Sequence, residues 1–325
     1  MKTLPRLVLL IALVLVIFLA LLFGAGLRDP LAVLPAPEMN LSAEQTDVII
    51  QGGRRIEHIT LHSAALGDIS FAVNFPDPLP EQKLPVLFVL GGLKYGKENI
   101  AVLKEMGANI IVGYDWPIPV HFPQGLSLLW QAPTLYHQLL GIPAQGVSIL
   151  HWLAEQPWAD ASRISVLGFS LGALVVPALQ NVAEKSGLNI GWTVLAYSGA
   201  PLHALFDAHP FIKPPWLHSL TSPLIALLLR PLEPSLHLPF LSGRFLILEG
   251  QSDDLIPATA RDLMRELTPQ PKTVIVLEGA HIGLAARMRT QLQQVIRICT
   301  VWLSENGAIN PVDAAQTAPS ARDAQ

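Results

Sequence analysis

The chain has 325 residues, of which 51% are hydrophobic, and a formal net charge of −4. This charge provides no basic surface, and the sequence contains no Arg/Lys cluster, which argues against nucleic-acid binding. The single cysteine, Cys299, excludes an internal disulfide in any compartment.

The first 27 residues differ in composition from the rest of the chain. Lys2 and Arg6 precede residues 7–27, a run without charge that is long enough to cross a bilayer as a helix. Basic residues on the N-terminal side predict a cytoplasmic N-terminus and an extracytoplasmic domain. The small residues at 24–26 leave a cleaved signal peptide, and thus a secreted or periplasmic protein, as the alternative. We expect residues 1–27 to be an uncleaved signal anchor in the cell membrane.

The remaining chain has the composition of a single domain with two flexible ends. Residues 28–50 include a stretch rich in proline and alanine and are interpreted as a linker. Residues 51–307 are expected to form one domain. Residues 308–325 have no apolar periodicity and are predicted to be disordered.

Short apolar runs alternate with helical patterns along the predicted domain. A strand pair is predicted at 56–63 and 69–75, followed by further strands at 86–90, 110–114, 163–167, 192–197, 245–248 and 274–277. Helices are predicted at 146–156, 173–180 and 285–304. This order predicts an α/β fold with a mainly parallel sheet, helices on both faces, and the strand C-termini at one edge.

The five residues Gly168-Phe169-Ser170-Leu171-Gly172 lie between a predicted strand and a predicted helix. A Gly-x-Ser-x-Gly in this position is typical of a nucleophile elbow. The sharp turn forces the serine into a strained backbone conformation, and glycine on either side removes the steric collision. Ser170 is therefore the candidate nucleophile, exposed over a helix N-terminus.

The chain order of this architecture, serine then acid then histidine, indicates the partners of Ser170. A predicted strand ends in a turn that contains Asp253 and Asp254, and either carboxylate could serve or could cap the following helix. Of ten histidines only His281 follows this turn, in a loop directly after another strand. His58 and His62 are four residues apart, but they lie on a predicted strand and do not converge there as they would on a helix, so we expect neither a metal nor a cofactor.

Residues 161–173 resemble the elbow of the dienelactone hydrolase and prolyl oligopeptidase branch of the α/β-hydrolase superfamily. The resemblance covers about residues 56–307. Residues 250–257 resemble the superfamily's acid turn, which favours Asp253 as the acid. The resemblance implies a catalytic triad of Ser170, Asp253 and His281.

The predicted oxyanion loop of this chain departs from the family pattern at one position. The resemblance implies backbone N–H donors from Leu171 and Leu93, with Gly92 as the alternative to Leu93. Many relatives carry His-Gly at the start of this loop, whereas this chain has Gly91 at the histidine position.

Residues 203–241 are apolar, rich in proline and placed between two strands, where this superfamily often carries a cap over the active site. We interpret this segment as a cap that shapes an acyl pocket; an irregular loop packed on the core is the alternative. Residues that could line the pocket and bind substrate are Gly92, Trp116, Phe122 and Trp216, and His121 could lie on the same wall as Trp116.

These features predict a serine hydrolase that cleaves carboxylic (acyl) esters, small or lipid-like, through an acyl-enzyme intermediate. An acyltransferase that uses the same triad is the first alternative. A non-catalytic, membrane-anchored scaffold with a hydrolase-like fold is the second. The sequence leaves the oligomeric state open.

Overall fold

The structure, a computed structural model, describes residues 27–93, 96–103, 106–121, 123, 125–209, 218–283 and 289–312, together with Leu13, Val16 and Gly24. Most of the predicted membrane span at 7–27 and of the predicted tail at 308–325 therefore lies outside the described residues. Within the described part of the chain, no helix is long and apolar enough to cross a membrane.

One nine-stranded sheet organises the described chain, with the strand order β1-β2-β3-β5-β4-β6-β7-β8-β9. Strands β4 to β9 run parallel to one another, whereas β1, β2 and β3 are antiparallel, and β3 joins the parallel part through antiparallel pairing with β5. The predicted mainly parallel α/β sheet is thus confirmed. The strands are β1 Ser42–Gln51, β2 Arg54–Ser63, β3 Gly67–Pro76, β4 Leu84–Leu90, β5 Ile110–Tyr114, β6 Ala159–Phe169, β7 Trp192–Ala196, β8 Arg244–Gly250 and β9 Lys272–Leu277.

The central strands are buried on both faces, which explains their continuous apolar sequences. Every residue of β4 is buried. Phe88 and Leu90 belong to the core on one face of the sheet, and Leu87 and Val89 belong to the core on the other. This alternation is the two-residue period of a strand, here with apolar residues on both sides.

Helices cover both faces of the sheet. Buried side chains of α2 and α3 pack in the first core, and those of α8 pack in the second. The helices are α1 Pro30–Val33, α2 Leu126–Ala154, α3 Leu171–Lys185, α4 Leu202–Ala208, α5 His218–Leu228, α6 Pro234–His237, α7 Ala258–Leu267 and α8 Arg289–Glu305, with 3₁₀ helices at Gly96–Val102, Arg230–Leu232 and Leu238–Phe240.

Two elements differ from the sequence prediction. The region 28–50, expected to be a linker, contains α1 and most of β1, which pairs with β2 along its whole length. Helix α2 has 29 residues and begins twenty residues before the predicted helix at 146–156. It contains Pro133 and Pro143, residues that normally interrupt helices, so its N-terminal part did not present a helical pattern.

The predicted cap, 203–241, lies between β7 and β8 in the chain, and its described part consists mainly of short helices. The carboxylate of Glu233 connects the later part of this segment to its start, because Oε2 accepts a hydrogen bond of 2.8 Å from the backbone N–H of Leu202. His237 of the same segment is fully buried and bonded to Asn181 of α3. Trp216 lies outside the described residues.

The C-terminal segment packs on the domain beyond the predicted boundary at residue 307. Ala308 and Ile309 are buried in the second core. The backbone N–H of Asn310 donates a hydrogen bond of 2.8 Å to Asn109 Oδ1. The first residues of the predicted tail therefore belong to the folded domain.

Candidate active site

Ser170 occupies a strained turn between β6 and α3. Its backbone lies at φ 54° and ψ −116°, in the positive-φ region that L residues rarely adopt. A Cβ atom on Gly168 would lie 2.6 Å from the Cα of Ala173, and one on Gly172 would lie 1.9 Å from the carbonyl oxygen of Leu90. Both glycines are therefore required by direct contact with neighbouring backbone.

A continuous chain of hydrogen bonds connects the three residues that the sequence singled out. Ser170 Oγ lies 2.8 Å from His281 Nε2, and His281 Nδ1 lies 2.9 Å from Asp253 Oδ2. In the tautomer that satisfies both contacts, Nδ1–H donates to the carboxylate and Nε2 accepts from the serine hydroxyl. This is the arrangement in which an imidazole can remove a proton from a hydroxyl.

The carboxylate of Asp253 is held by its own turn. Its Oδ1 accepts backbone N–H bonds from Leu255 at 3.0 Å and Ile256 at 3.1 Å, while its side chain is 1% exposed. The second oxygen is thereby directed at His281. Asp254, the alternative acid, is exposed to solvent.

Backbone hydrogen bonds join the acid turn to the loop that carries His281. The N–H of Gln251 donates to the carbonyl of Leu277 at 2.7 Å, and that of Ser252 donates to Gly279 at 3.0 Å. These bonds extend the pairing of β8 and β9 beyond the ends of the two strands. Asp253 and His281 are thus fixed relative to each other by main chain as well as by side chains.

Two further residues contact this site and were not identified from the sequence. The ring of Tyr197 packs edge-to-face against the His281 imidazole, with 5.7 Å between the ring centroids. The side-chain amide of Gln291 donates to the hydroxyl of Tyr197 at 3.0 Å. Burial raises the pKa of the Tyr197 phenol, so it is neutral near pH 7.

The segments with the predicted oxyanion donors lie at adjoining strand ends. Leu171 is the first residue of α3, and the first N–H groups of a helix have no acceptor within the helix. Leu93 lies three residues beyond the end of β4, where Leu90 pairs with Gly168 of β6. Gly92, the alternative donor, has no heavy atom of the described residues within 4 Å of a Cβ position.

The predicted pocket residues are only partly described. Trp116 follows β5, the neighbour of β4, and packs edge-to-face on Tyr114 with a centroid distance of 5.4 Å. Its indole N–H is buried without a hydrogen-bond partner among the described residues. His121 is exposed, and Phe122 lies outside the described residues together with Trp216.

One histidine of the predicted cap, His209, has a lowered pKa. His209 directly follows α4, and its pKa is lowered by burial and, to a smaller extent, by its electrostatic interaction with His281. The described residues contain no group of three or more His, Cys, Asp or Glu side chains that could hold a metal ion.

Comparison of the chain with known sequences gives only partial matches. No family model matches the chain. Two uncharacterized proteins from two strains of Mycobacterium tuberculosis are each 30% identical over 141 residues. This match spans 43% of the chain and 44% of each relative, which is less than half of the length of the curated relatives.

Solved structures resemble the chain over most of its length. An acetyl xylan esterase from Thermoanaerobacterium sp. has a TM-score of 0.60 at 13% identity, covering 83% of this chain and 93% of that one. An S-formylglutathione hydrolase from Agrobacterium tumefaciens has a TM-score of 0.56 at 19% identity, covering 81% and 99%. An esterase from Pyrobaculum calidifontis has a TM-score of 0.54 at 15% identity, covering 88% and 92%. The fold is thus the α/β-hydrolase fold that the sequence resemblance predicted, and these structures of similar fold are ester hydrolases.

Proposed function

We propose that the protein is a serine hydrolase that cleaves carboxylic (acyl) esters through Ser170, His281 and Asp253. The observation that carries this proposal is the hydrogen bond of 2.8 Å between Ser170 Oγ and His281 Nε2, continued by the bond of 2.9 Å to Asp253. The ester hydrolases of similar fold support an ester as the substrate class.

The first half of the reaction acylates the serine. His281 Nε2 takes the hydroxyl proton of Ser170 while Oγ attacks the acyl carbonyl, which forms a C–O bond and leaves a tetrahedral oxyanion. Asp253 stabilises the imidazolium that results and keeps the ring oriented. The oxyanion collapses, the bond to the alcohol breaks, and the imidazolium returns the proton to that leaving group.

Backbone N–H groups of Leu171 and Leu93 would stabilise the oxyanion in this mechanism. Two observations support these donors: Leu171 begins α3, and β4 adjoins β6 at the strand ends from which both loops start. The loss of one such donor typically raises the barrier by about 3–4 kcal/mol.

The second half of the reaction releases the acyl group. A water molecule gives its proton to His281 Nε2 and attacks the acyl carbon, and the acid leaves with regeneration of the serine hydroxyl. Another alcohol in place of water would yield acyl transfer by the same steps. Measuring free acid and transferred ester in the presence of glycerol distinguishes the two reactions.

The cap and the segment around Trp116 would form the walls of the substrate pocket. The apolar composition of residues 203–241 and the burial of Trp116 support an acyl or lipid-like group over a sugar at this position. Gly92, Phe122 and Trp216 complete the proposed lining. Hydrolysis rates on a series of p-nitrophenyl esters of increasing acyl length would test this assignment.

The uncharged segment 7–27 supports attachment to the cell membrane, with the catalytic domain on the extracytoplasmic side. Arg230 Nη1 of the cap donates a hydrogen bond of 2.7 Å to the carbonyl of Arg28, so the chain that leaves this segment passes beside the cap. Protease treatment of intact spheroplasts that express the full chain should degrade the domain. Protection of the domain would contradict this orientation, and release into the medium would indicate a cleaved signal.

A fluorophosphonate probe tests the catalytic proposal directly. We expect stoichiometric labelling of the wild-type protein, no labelling of Ser170→Ala, and loss of p-nitrophenyl acetate turnover in Ser170→Ala by several orders of magnitude. Ser162→Ala is a matched control, because this serine is exposed in the first part of β6. A folded wild-type protein that resists labelling would favour the non-catalytic scaffold.

A further inference from the structure

We propose that Tyr197 and Gln291 are positioning residues that hold the His281 ring and its loop in the orientation required for proton transfer. This inference rests on the proposed function, because it assigns a role to contacts of the proposed base. In the part of the chain that the structure describes, the side-chain contacts of these two residues lead to His281 and to Ala280 and not to Ser170, so both would act through His281.

The backbone of Tyr197 is the first observation. Tyr197 follows β7 and has a φ of 57°, although bulky aromatic residues rarely adopt positive φ. Its N–H donates to the carbonyl of Leu248 at 2.8 Å, and its residue exposure is 1%. Such outliers persist only where the surrounding structure determines them, and they cluster at functional sites.

The position of the Tyr197 ring is the second observation. Its plane makes an angle of 78° with the imidazole of His281, and the centroids are 5.7 Å apart. Such an edge-to-face contact is favourable for aromatic pairs. A Cβ atom on Gly250 would lie 3.1 Å from the Tyr197 ring, so the ring also packs closely on the start of the acid turn. Tyr197 therefore packs against the imidazole on one side and against the acid turn on another.

The amide of Gln291 is the third observation. Its single nitrogen, Nε2, donates both to Tyr197 Oη at 3.0 Å and to the carbonyl oxygen of Ala280 at 2.8 Å. Ala280 immediately precedes His281. One side chain of α8 thus connects the aromatic ring on one side of the imidazole with the main chain that carries it.

Gly279 completes this arrangement. Its φ of 113° is accessible to glycine and strained for other residues, and a Cβ atom there would lie 3.3 Å from Gln291 Nε2. The loop backbone therefore packs directly against the Gln291 amide. Removal of the Gln291 amide would therefore remove this hydrogen bond from the Ala280 carbonyl.

Truncation of the amide is the main test. We expect Gln291→Ala to lower kcat on p-nitrophenyl acetate by about 10- to 100-fold through misorientation of the base, with KM changed less than twofold. Tyr197→Phe should lose less than Gln291→Ala, because the ring contact and the Gln291–Ala280 bond remain. Gln294→Ala is the matched control: it lies in the same helix, is exposed, and borders a separate surface groove. It should behave as wild type.

A pH profile provides a readout that a purely structural role would not change. Gln291→Glu places a carboxylate next to the histidine loop, and a nearby negative charge favours the imidazolium. We expect the acid limb of kcat/KM to move to higher pH. If Gln291→Ala does not fold, Gln291→Glu and Tyr197→Phe carry the test, with folding verified by circular dichroism.

The outcomes separate this inference from the proposed function. Wild-type protein that is not labelled by the fluorophosphonate overturns both. Labelled wild type, together with a Gln291→Ala variant of unchanged kcat and a Gln291→Glu variant of unchanged pH profile, overturns the positioning role alone. A fall in kcat at constant KM, absent in Gln294→Ala, supports it.

Discussion

The two oxygens of the Asp253 carboxylate have different partners, and this difference distinguishes it from its neighbour in the chain. Oδ1 is bonded to two backbone N–H groups, and Oδ2 is bonded to His281. Asp254 is exposed and differs from Asp253 only in its place within the turn. A resemblance to a family motif favours Asp253 as the acid, and the hydrogen bonds of the turn support the same choice.

Replacement of each acid should therefore have very different effects. We expect Asp253→Asn to lower kcat by roughly 10³- to 10⁴-fold, because an amide in this position favours the wrong imidazole tautomer. Asp254→Asn should stay within about twofold of wild type. Rates of p-nitrophenyl acetate hydrolysis measure both, and the opposite ranking would identify Asp254 as the acid.

The single thiol offers a second test at the residue scale. Cys299 is buried in α8, and this burial raises its pKa to about 12. Because the thiolate is the reactive form, we expect no reaction with Ellman's reagent in the native protein and one reacting thiol in denaturant. Fast reaction of the folded protein would contradict the packing of α8 on the sheet.

The sequence could single out Ser170, His281 and the acid turn as candidates because each follows a recognisable strand in a known chain order. Tyr197 and Gln291 have no such signature. They are 94 residues apart, and their contact arises only when α8 folds back over the end of β7. A long-range contact of this kind depends on tertiary packing and is invisible to local pattern.

At the scale of elements, the packing of α3 on β4 determines how close the elbow comes to the proposed oxyanion loop. The position at which a Cβ of Gly172 would lie is 1.9 Å from the Leu90 carbonyl. Leu90 ends β4, just before Gly91, Gly92 and Leu93. Any side chain at residue 172 must therefore displace the helix or the strand.

We expect Gly172→Ala to destabilise the protein by about 1–3 kcal/mol through overpacking and to impair turnover by displacing the Leu93 segment. Gly141→Ala serves as a control, because this glycine of α2 has open space around its Cβ position. That variant should be as stable as wild type or slightly more so. Urea denaturation gives both values, and equal stability of the two variants would refute the steric argument.

The sheet and the alternation of elements could be predicted, whereas β1 and the first part of α2 could not. Strands such as β4 are apolar throughout because both faces are buried. Strand β1 is exposed along its length, so burial imposes no periodicity on its sequence. In α2, tertiary packing maintains a helix across two prolines that local preference would treat as breaks.

At the scale of the whole molecule, a buried polar link connects the predicted cap to α3, the helix that begins directly after Ser170. The side-chain amide of Asn181 in α3 donates from Nδ2 to His237 Nδ1 at 3.1 Å. His237 Nε2 in turn donates to the Pro231 carbonyl at 2.8 Å. This tautomer satisfies both nitrogens with a neutral ring. Burial accordingly lowers the pKa of His237 below its ordinary value of 6.5.

This link predicts a pH dependence of stability. Because the folded pKa is lowered, the unfolded chain binds a proton more readily, and the free energy of unfolding falls as pH decreases below 6.5 toward the folded pKa. We expect the loss between pH 7.5 and pH 5 to be smaller in His237→Gln than in wild type. Urea titrations at several pH values measure it, and parallel curves for the two proteins would contradict the assignment.

The cap leaves the sheet after β7 and returns at β8, two strands that pair directly with each other, and Glu233 closes the insertion near its base. The three proposed catalytic groups depend on strand ends and not on this insertion. Replacement of residues 203–241 would therefore leave these three groups in place and would change the walls of the proposed pocket. We therefore expect divergent homologues to vary most in the segment between these two strands. They would differ in substrate selectivity and share one reaction type.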